Sequence, residues 1–135
     1  SQALKVMKIH NGPAYFQMKI ENGKPYIIEM TPRLDGCHMW KIIEYFSAVN
    51  LLKLTLNHLL LNNFSELENY KKSHESFKLE FFCQEPETIM DRDKFIVPSD
   101  SLTHKFYCNT GDRIPTQNGK FEKVGYFIQK TGGEV

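Results

Sequence analysis

No apolar run in this chain approaches the roughly 20 residues that a membrane-crossing helix needs, so a helical span is not expected within it. Cysteine is sparse. Cys37, Cys83 and Cys108 lie far apart, with no Cys-x-x-Cys spacing. An odd, scattered set without a signal peptide reads as reduced thiols in a cytosolic protein, not as a disulfide framework. Charge of one sign is missing too. The formal net charge is +1 and Lys71-Lys72 is a pair rather than a patch, which argues against a nucleic-acid partner. There is no internal repeat and no low-complexity segment. The opening Ser1-Gln2-Ala3 is neither a signal nor a lipidation pattern, and Ser1 without a preceding Met suits a cut made inside a longer chain. What is present is ordinary: 135 residues, 41% hydrophobic and 24% charged, enough to bury a real core.

Along the chain, Leu4, Met7 and Ile9 suit the last turns of a helix that looks truncated at its start. His10-Asn11-Gly12-Pro13 supplies the stop, since Gly tolerates a left-handed cap and Pro cannot continue the ladder. Two alternating segments follow, over 14–20 and 25–31. The first places Ala14, Phe16, Met18 and Ile20 on one face; the second places Tyr26, Ile28 and Met30 on one face and Ile27, Glu29 and Thr31 on the other. Asn22-Gly23 between them is a strong hairpin signal. Pro32 and Gly36 punctuate a loop. Helical patterns then run from His38, with Met39, Ile42, Ile43 and Phe46 in one stripe, and from Asn50 as a cap through Leu52, Leu56, Leu59 and Leu60 to Asn62-Asn63. The remainder is β-rich, with strands expected around 77–82, 106–108 and 125–128 and turn chemistry over 109–120. These segments predict an α+β fold: an antiparallel sheet with helices packed on one face, then a β-rich tail. The expected division is 1–61 for the hairpin and helices, and 62–135 for a cap packed on them rather than an independent domain.

The chemistry depends on hairpin register. A two-residue Asn22-Gly23 turn pairs Gln17 with Ile28 and sends Gln17 and Glu29 to opposite faces. A three-residue loop, Glu21-Asn22-Gly23, brings Gln17, Glu29 and Thr31 to one face, with Arg33 just beyond the strand. Burial of the apolar face favours this odd-length loop, although the local Asn-Gly preference favours the shorter turn. Three oxygen donors and an Arg would suit Mg²⁺ shared with substrate phosphates, the Arg offering its planar fork to phosphate oxygens. A Gln, a Glu and a Thr on one strand face also describe a solvated sheet surface, and on geometry alone that is the commoner reading. The histidines His10, His38, His58, His74 and His104 show no metal spacing. Asp35 reads as a loop cap, Asp91-Arg92-Asp93 as a solvated turn, and the aromatic tail as core.

The segments Gly12-Pro13-Ala14-Tyr15-Phe16-Gln17 and Ile27-Ile28-Glu29-Met30-Thr31-Pro32-Arg33-Leu34-Asp35-Gly36 resemble the metal-binding hairpin of ATP-grasp enzymes. That pattern is an acidic residue or Gln followed by Glu-x-Asn-Pro-Arg. The Gln variant is similar to the carbamoyl-phosphate synthase large subunit, and the later chain resembles carboxylate-amine ligases of the superfamily. The resemblance implies the C-terminal part of an ATP- and Mg²⁺-dependent (or Mn²⁺-dependent) ligase, cytoplasmic, that forms an acyl phosphate and joins a small-molecule carboxylate to an amine. It implies Gln17, Glu29 and Thr31 as metal ligands, Arg33 on the ATP phosphates, and a substrate role for His38 after the Asp35-Gly36 loop. Thr31 departs from the pattern's Asn. The phosphate-binding lysines, glycine-rich loop and adenine hinge of the family all lie upstream of this segment. The chain alone is therefore expected to be inactive and to need the missing N-terminal half, with no nucleic acid or membrane partner and a homodimer left open. The rival reading is a non-catalytic α+β binding or oligomerisation module.

Overall fold

The computed structural model describes residues 2–132, and the reading of Ser1 lies outside them. The fold is α+β and comprises two compact units, one up to Ser73 and one from His74.

The first unit opens with α1 (Gln2–Val6), then the hairpin β1 (Tyr15–Glu21) and β2 (Lys24–Thr31), then α2 (Met39–Ser47) and α3 (Leu51–Leu61). Helix α1 stops earlier than Gly12 suggested. Lys8 takes the left-handed conformation (φ 55°), and the Lys8 and Ile9 amides donate to the Lys5 and Leu4 carbonyls at 3.1 and 2.9 Å. That bond pair is a Schellman end with Leu4 and Ile9 as its apolar partners. Asn50 caps α3 as its sequence predicts, its side-chain oxygen accepting from the Lys53 amide at 2.8 Å. The leucine stripe of α3 faces the other way from expectation. Leu52, Leu56, Leu59 and Leu60 are exposed, while Leu51, Leu54, Thr55 and His58 form the half-buried side. A helix with leucines all around carries little periodic information, so packing chose the face.

After α3 comes a 3₁₀ turn over Ser65–Asn69. Its Glu66 is buried, and its carboxylate accepts from the Asn50 amide at 3.3 Å and meets Lys53 at 2.8 Å. The hydrogen bond from Lys53 holds the Glu66 carboxyl below its ordinary range, against the opposing pull of burial. Between the hairpin base and α2 lies a cavity of about 470 Å³, bounded by Phe16, Met18, Met39, Trp40 and Ile43 among others.

The second unit is an antiparallel sheet in the order β3-β5-β4, with β3 at Ser76–Gln84, β4 at Ser101–Phe106 and β5 at Glu122–Thr131. The second tail strand thus lies earlier than 106–108. Tyr107 and Cys108 leave the strand, although the Tyr107 amide still reaches the Val124 carbonyl at 2.8 Å. Phe82, Met90, Ile114, Val124 and Phe127 form the core, and Phe82 stacks on Phe106 at 4.9 Å. Ile114 sits within the segment read as turns, yet it is fully buried and trades backbone hydrogen bonds with Glu87 and Thr88. Arg92 is likewise no solvated turn residue: its guanidinium donates to the Cys108 carbonyl at 2.8 Å and to Asn109 Oδ1 at 2.9 Å.

Two positions make this unit testable. A Cβ on Gly125 would lie 2.4 Å from the Lys105 carbonyl oxygen, a backbone atom that cannot step aside, whereas one on Gly132 would meet nothing. Gly125→Ala should therefore lower stability by about 1–3 kcal/mol and shift the far-UV melting curve, with Gly132→Ala as the unchanged control. Glu122 is buried and accepts from the Gln117 and Asn118 amides, both at 2.6 Å, and from Asn118 Nδ2 at 2.8 Å. The Asn118 amide, then the Gln117 amide, hold its carboxyl below the ordinary carboxylate range. A depressed folded value means that its stabilisation is present above the unfolded value, about 4.3, and is lost as pH falls through the folded one. Thermal melts of Glu122→Gln across that acidic range should show a flatter acid limb than the parent, and an unchanged limb would contradict the assignment.

Candidate phosphate and metal face

The hairpin resolves the conflict between turn preference and facing pattern by a route outside the two alternatives. Asn22 and Gly23 form a two-residue turn with φ of 51° and 72°, the doubly left-handed geometry that Asn-Gly favours, so the expected three-residue loop is not formed. From that turn the strands pair in the short-turn register as far as Met18 opposite Ile27. There the register shifts. A β-bulge leaves Ile28 as the extra residue, and Gln17 then faces Glu29, Phe16 faces Met30 and Tyr15 faces Thr31. One inserted residue reverses the alternation beyond it, so Tyr15, Gln17, Glu29 and Thr31 share a face. The facing expected of Gln17, Glu29 and Thr31 is present, produced by the bulge and not by the loop.

Strict alternation along β2 is correspondingly broken. Ile27, expected beside Glu29, lies on the side of Phe16, Met18, Ile20 and Met30. That side is half-buried at Phe16 and Met30 but open toward the turn, where Ile20 is 74% exposed and Ile27 is 51% exposed.

Gln17 and Glu29 are exposed, while Thr31 is partly covered and its Oγ1 is buried without a hydrogen-bond partner among the described residues. Such a group calls for a further ligand or donor. The set offers one carboxylate, one amide and one hydroxyl. Among the described residues no cluster of three His, Cys, Asp or Glu side chains could hold a metal. The donors therefore fit a hard cation that takes most of its oxygens from phosphate and water, and do not fit a closed protein cage.

Arg33 stands two residues past Thr31. One of its terminal nitrogens donates to the Leu34 carbonyl at 2.9 Å, which folds the exposed guanidinium back along its own loop beside Gly36. His38 is not on the strand face. It is the left-handed residue (φ 58°) at the start of α2, with its ring edge-on to Trp40. Asp35 holds this loop to the helix. Its carboxylate accepts from the amides of Cys37, Met39 and Trp40 at 2.6, 3.1 and 3.2 Å, satisfying two otherwise unpaired donors of the first helical turn. Asp35 is thus a cap, as its sequence context predicts.

Removing that cap with Asp35→Ala should cost about 1 kcal/mol, with Asp35→Asn intermediate because it keeps one acceptor oxygen. Trp40, the single tryptophan, reports the change directly. Its fluorescence melt should shift down in the order parent, Asn, Ala, and identical melts would show that the cap adds nothing.

No family model matches this sequence, and no curated protein matches it. Solved structures do. The chain is similar to an L-amino acid ligase from Bacillus licheniformis, with a TM-score of 0.68 and 20% identity, covering 97% of this chain and 35% of that one. It is also similar to phosphoribosylglycinamide synthetase from Anaerococcus prevotii, with a TM-score of 0.59 and 17% identity, covering 96% of this chain and 34% of that one. The chain thus spans about a third of the length of each of these structures. The likeness is one of fold: this chain has the fold of a part of each of these two structures.

Proposed function

We propose that this chain is the C-terminal part of an ATP- and Mg²⁺-dependent ligase that joins a carboxylate to an amine, with chemistry of the carbamoyl-phosphate synthase kind. The observation that carries the reading is the bulge at Ile28, which places Gln17 opposite Glu29 and leaves Thr31 Oγ1 buried and unpaired beside them. Pairing straight from the turn would have scattered these donors over two faces. The L-amino acid ligase and phosphoribosylglycinamide synthetase structures support the ligase class at the level of fold.

In this reading Gln17, Glu29 and Thr31 hold Mg²⁺, which, when bound, neutralises charge on the transferring phosphate. Arg33 swings from the Leu34 carbonyl to a phosphate oxygen and stabilises the same charge. A carboxylate oxygen attacks the terminal phosphorus, the bond to ADP breaks, and an acyl phosphate forms. The amine nitrogen then attacks the acyl carbon, the carbon–phosphate oxygen bond breaks, and the amine proton leaves with solvent or phosphate. His38, anchored by the Asp35 loop, contacts the incoming substrate. The preceding ATP-grasp half supplies the phosphate lysines and the adenine pocket, so these residues alone turn over no ATP.

A specific observation favours a second reading, a non-catalytic oligomerisation module. Met18, Ile20, Ile27 and Ile28 are all more than half exposed on a hairpin that has no third strand among the described residues, and a two-stranded hairpin is marginal in isolation. Kinetics on the protein that continues this chain upstream separates the two. Glu29→Gln should cut substrate-dependent ADP release by about 100-fold or more, and Thr31→Asn, which restores the family's amide, should keep activity or raise it. Lys19→Ala, on the neighbouring strand β1, should leave it unchanged. Full activity in Glu29→Gln would sink the ligase site, and absence of any ATP turnover in the parent would favour the module.

A further inference from the structure

The second unit carries a long strand at the border of its sheet. In the order β3-β5-β4, β5 is paired on both sides, while β3 and β4 each have a neighbouring strand on one side only among the described residues. Such an edge presents a row of backbone donors and acceptors to a further strand, and folded proteins usually blunt it with proline, a bulge, short length or charged side chains. β4 uses two of these devices: it has six residues, and its register shifts between Ser101 and Thr103. β3 has nine residues with no proline or glycine, and its register with β5 runs unbroken over 76–82. Its charged side chains are one lysine and one glutamate. Lys78 and Glu80 neutralise each other along the strand at 2.5 Å, and each is just over half exposed.

That unbroken stretch is symmetric about Leu79. Lys78 and Glu80 stand one residue to either side of it, and Phe77 and Phe81 stand two. Residues directly opposite in an antiparallel pair share a face. A second β3 laid antiparallel, with a two-fold axis through Leu79, therefore sets Lys78 opposite the partner's Glu80 and Glu80 opposite the partner's Lys78. It also sets Phe77 opposite the partner's Phe81. Both charge pairs are attractive, and aromatic residues meet aromatic residues on the other face. No neighbouring register does this. Moving the axis by one residue puts Lys78 against the partner's Lys78 or Glu80 against the partner's Glu80, and like charges directly opposite are destabilising. Moving it by half a residue sets both charges opposite apolar residues, and a parallel partner in register repeats the like-charge contacts.

We propose that a second copy of this chain docks along β3, antiparallel about a two-fold axis at Leu79, so that two three-stranded sheets become one of six strands. The charge pattern selects the occupant, because its antiparallel complement is its own sequence. A two-fold contact of this kind uses the same patch on both copies and closes on itself, which ends the edge without propagating it. The seam involves neither the Gln17 and Glu29 face nor the exposed hairpin residues, and it holds whether or not the chain serves a ligase.

Sedimentation equilibrium on the 135-residue chain checks it. The mass should rise with concentration from 15.8 kDa toward twice that value. Along the same series, amide exchange should slow within 76–82 and stay constant in β4. Lys78→Glu and Glu80→Lys each turn both attractive pairs into repulsive ones, and each should weaken dimerisation roughly tenfold or more. An equimolar mixture of these two variants restores both attractions in a heterodimer and should return the affinity of the parent. The double variant Lys78→Glu/Glu80→Lys should do the same. If a single variant fails to fold by far-UV circular dichroism, the double variant and the amide exchange of the parent decide. A parent that stays monomeric, a dimer whose 76–82 amides exchange at the monomer rate, folded single variants that dimerise like the parent, or a mixture of folded variants that stays monomeric would overturn the proposal.

Discussion

The parity of a β-hairpin is unforgiving, and the first unit depends on how this chain satisfies it. Side chains alternate along each strand, so moving the pairing by one residue exchanges the faces of everything beyond the move. Asn22-Gly23 makes the least strained two-residue turn, which sets one register; the grouping of Gln17 with Glu29 needs the other. Ile28 absorbs the difference as a bulge. Both demands are met without a strained turn, at the cost of one unpaired residue in the ladder. The position of the bulge matters as much as its existence. Closer to the turn it would have reassigned Lys19 and Tyr26, and beyond Gln17 it would have come too late to gather the donors.

Downstream of the hairpin, order passes from strand to helix through one carboxylate. Asp35 accepts three backbone amides across the loop and the first turn of α2, which anchors the segment between Arg33 and Trp40. The next junction uses the same device: Glu66 in the 3₁₀ turn accepts from the Asn50 amide and pairs with Lys53 at the start of α3. In the second unit Glu122 closes the 117–118 backbone in the same manner. Three acidic side chains thus satisfy amides that the local backbone leaves open, a recurring answer to the rule that covered backbone donors need partners.

The two units distribute apolar surface differently. The second has a contiguous core of aromatic and aliphatic side chains, with Met90 and Ile128 fully enclosed. Among the described residues of the first, only Ser47, Val49 and Glu66 are buried, and the hairpin and α3 show large apolar side chains to solvent. The hairpin's apolar face is half-buried at Phe16 and Met30 and open toward the turn.

Local chemistry was legible from the residues alone: a hairpin at Asn22-Gly23, the Asn50 and Asp35 caps, the extents of α2 and α3, and the α+β class. Each is decided within a few residues by turn, capping or periodic preferences. Long-range pairing settled the rest. A bulge at Ile28 has no strong composition signal, because Ile27-Ile28 suits a regular strand equally well. The inward face of α3 could not be read from a helix with leucines on every side. Ile114 hides in a turn-rich segment because its burial comes from the core it joins with Phe82, Met90, Val124 and Phe127. Sequence neighbours set conformations one turn at a time, whereas faces, cavities and unpaired atoms arise where distant segments meet.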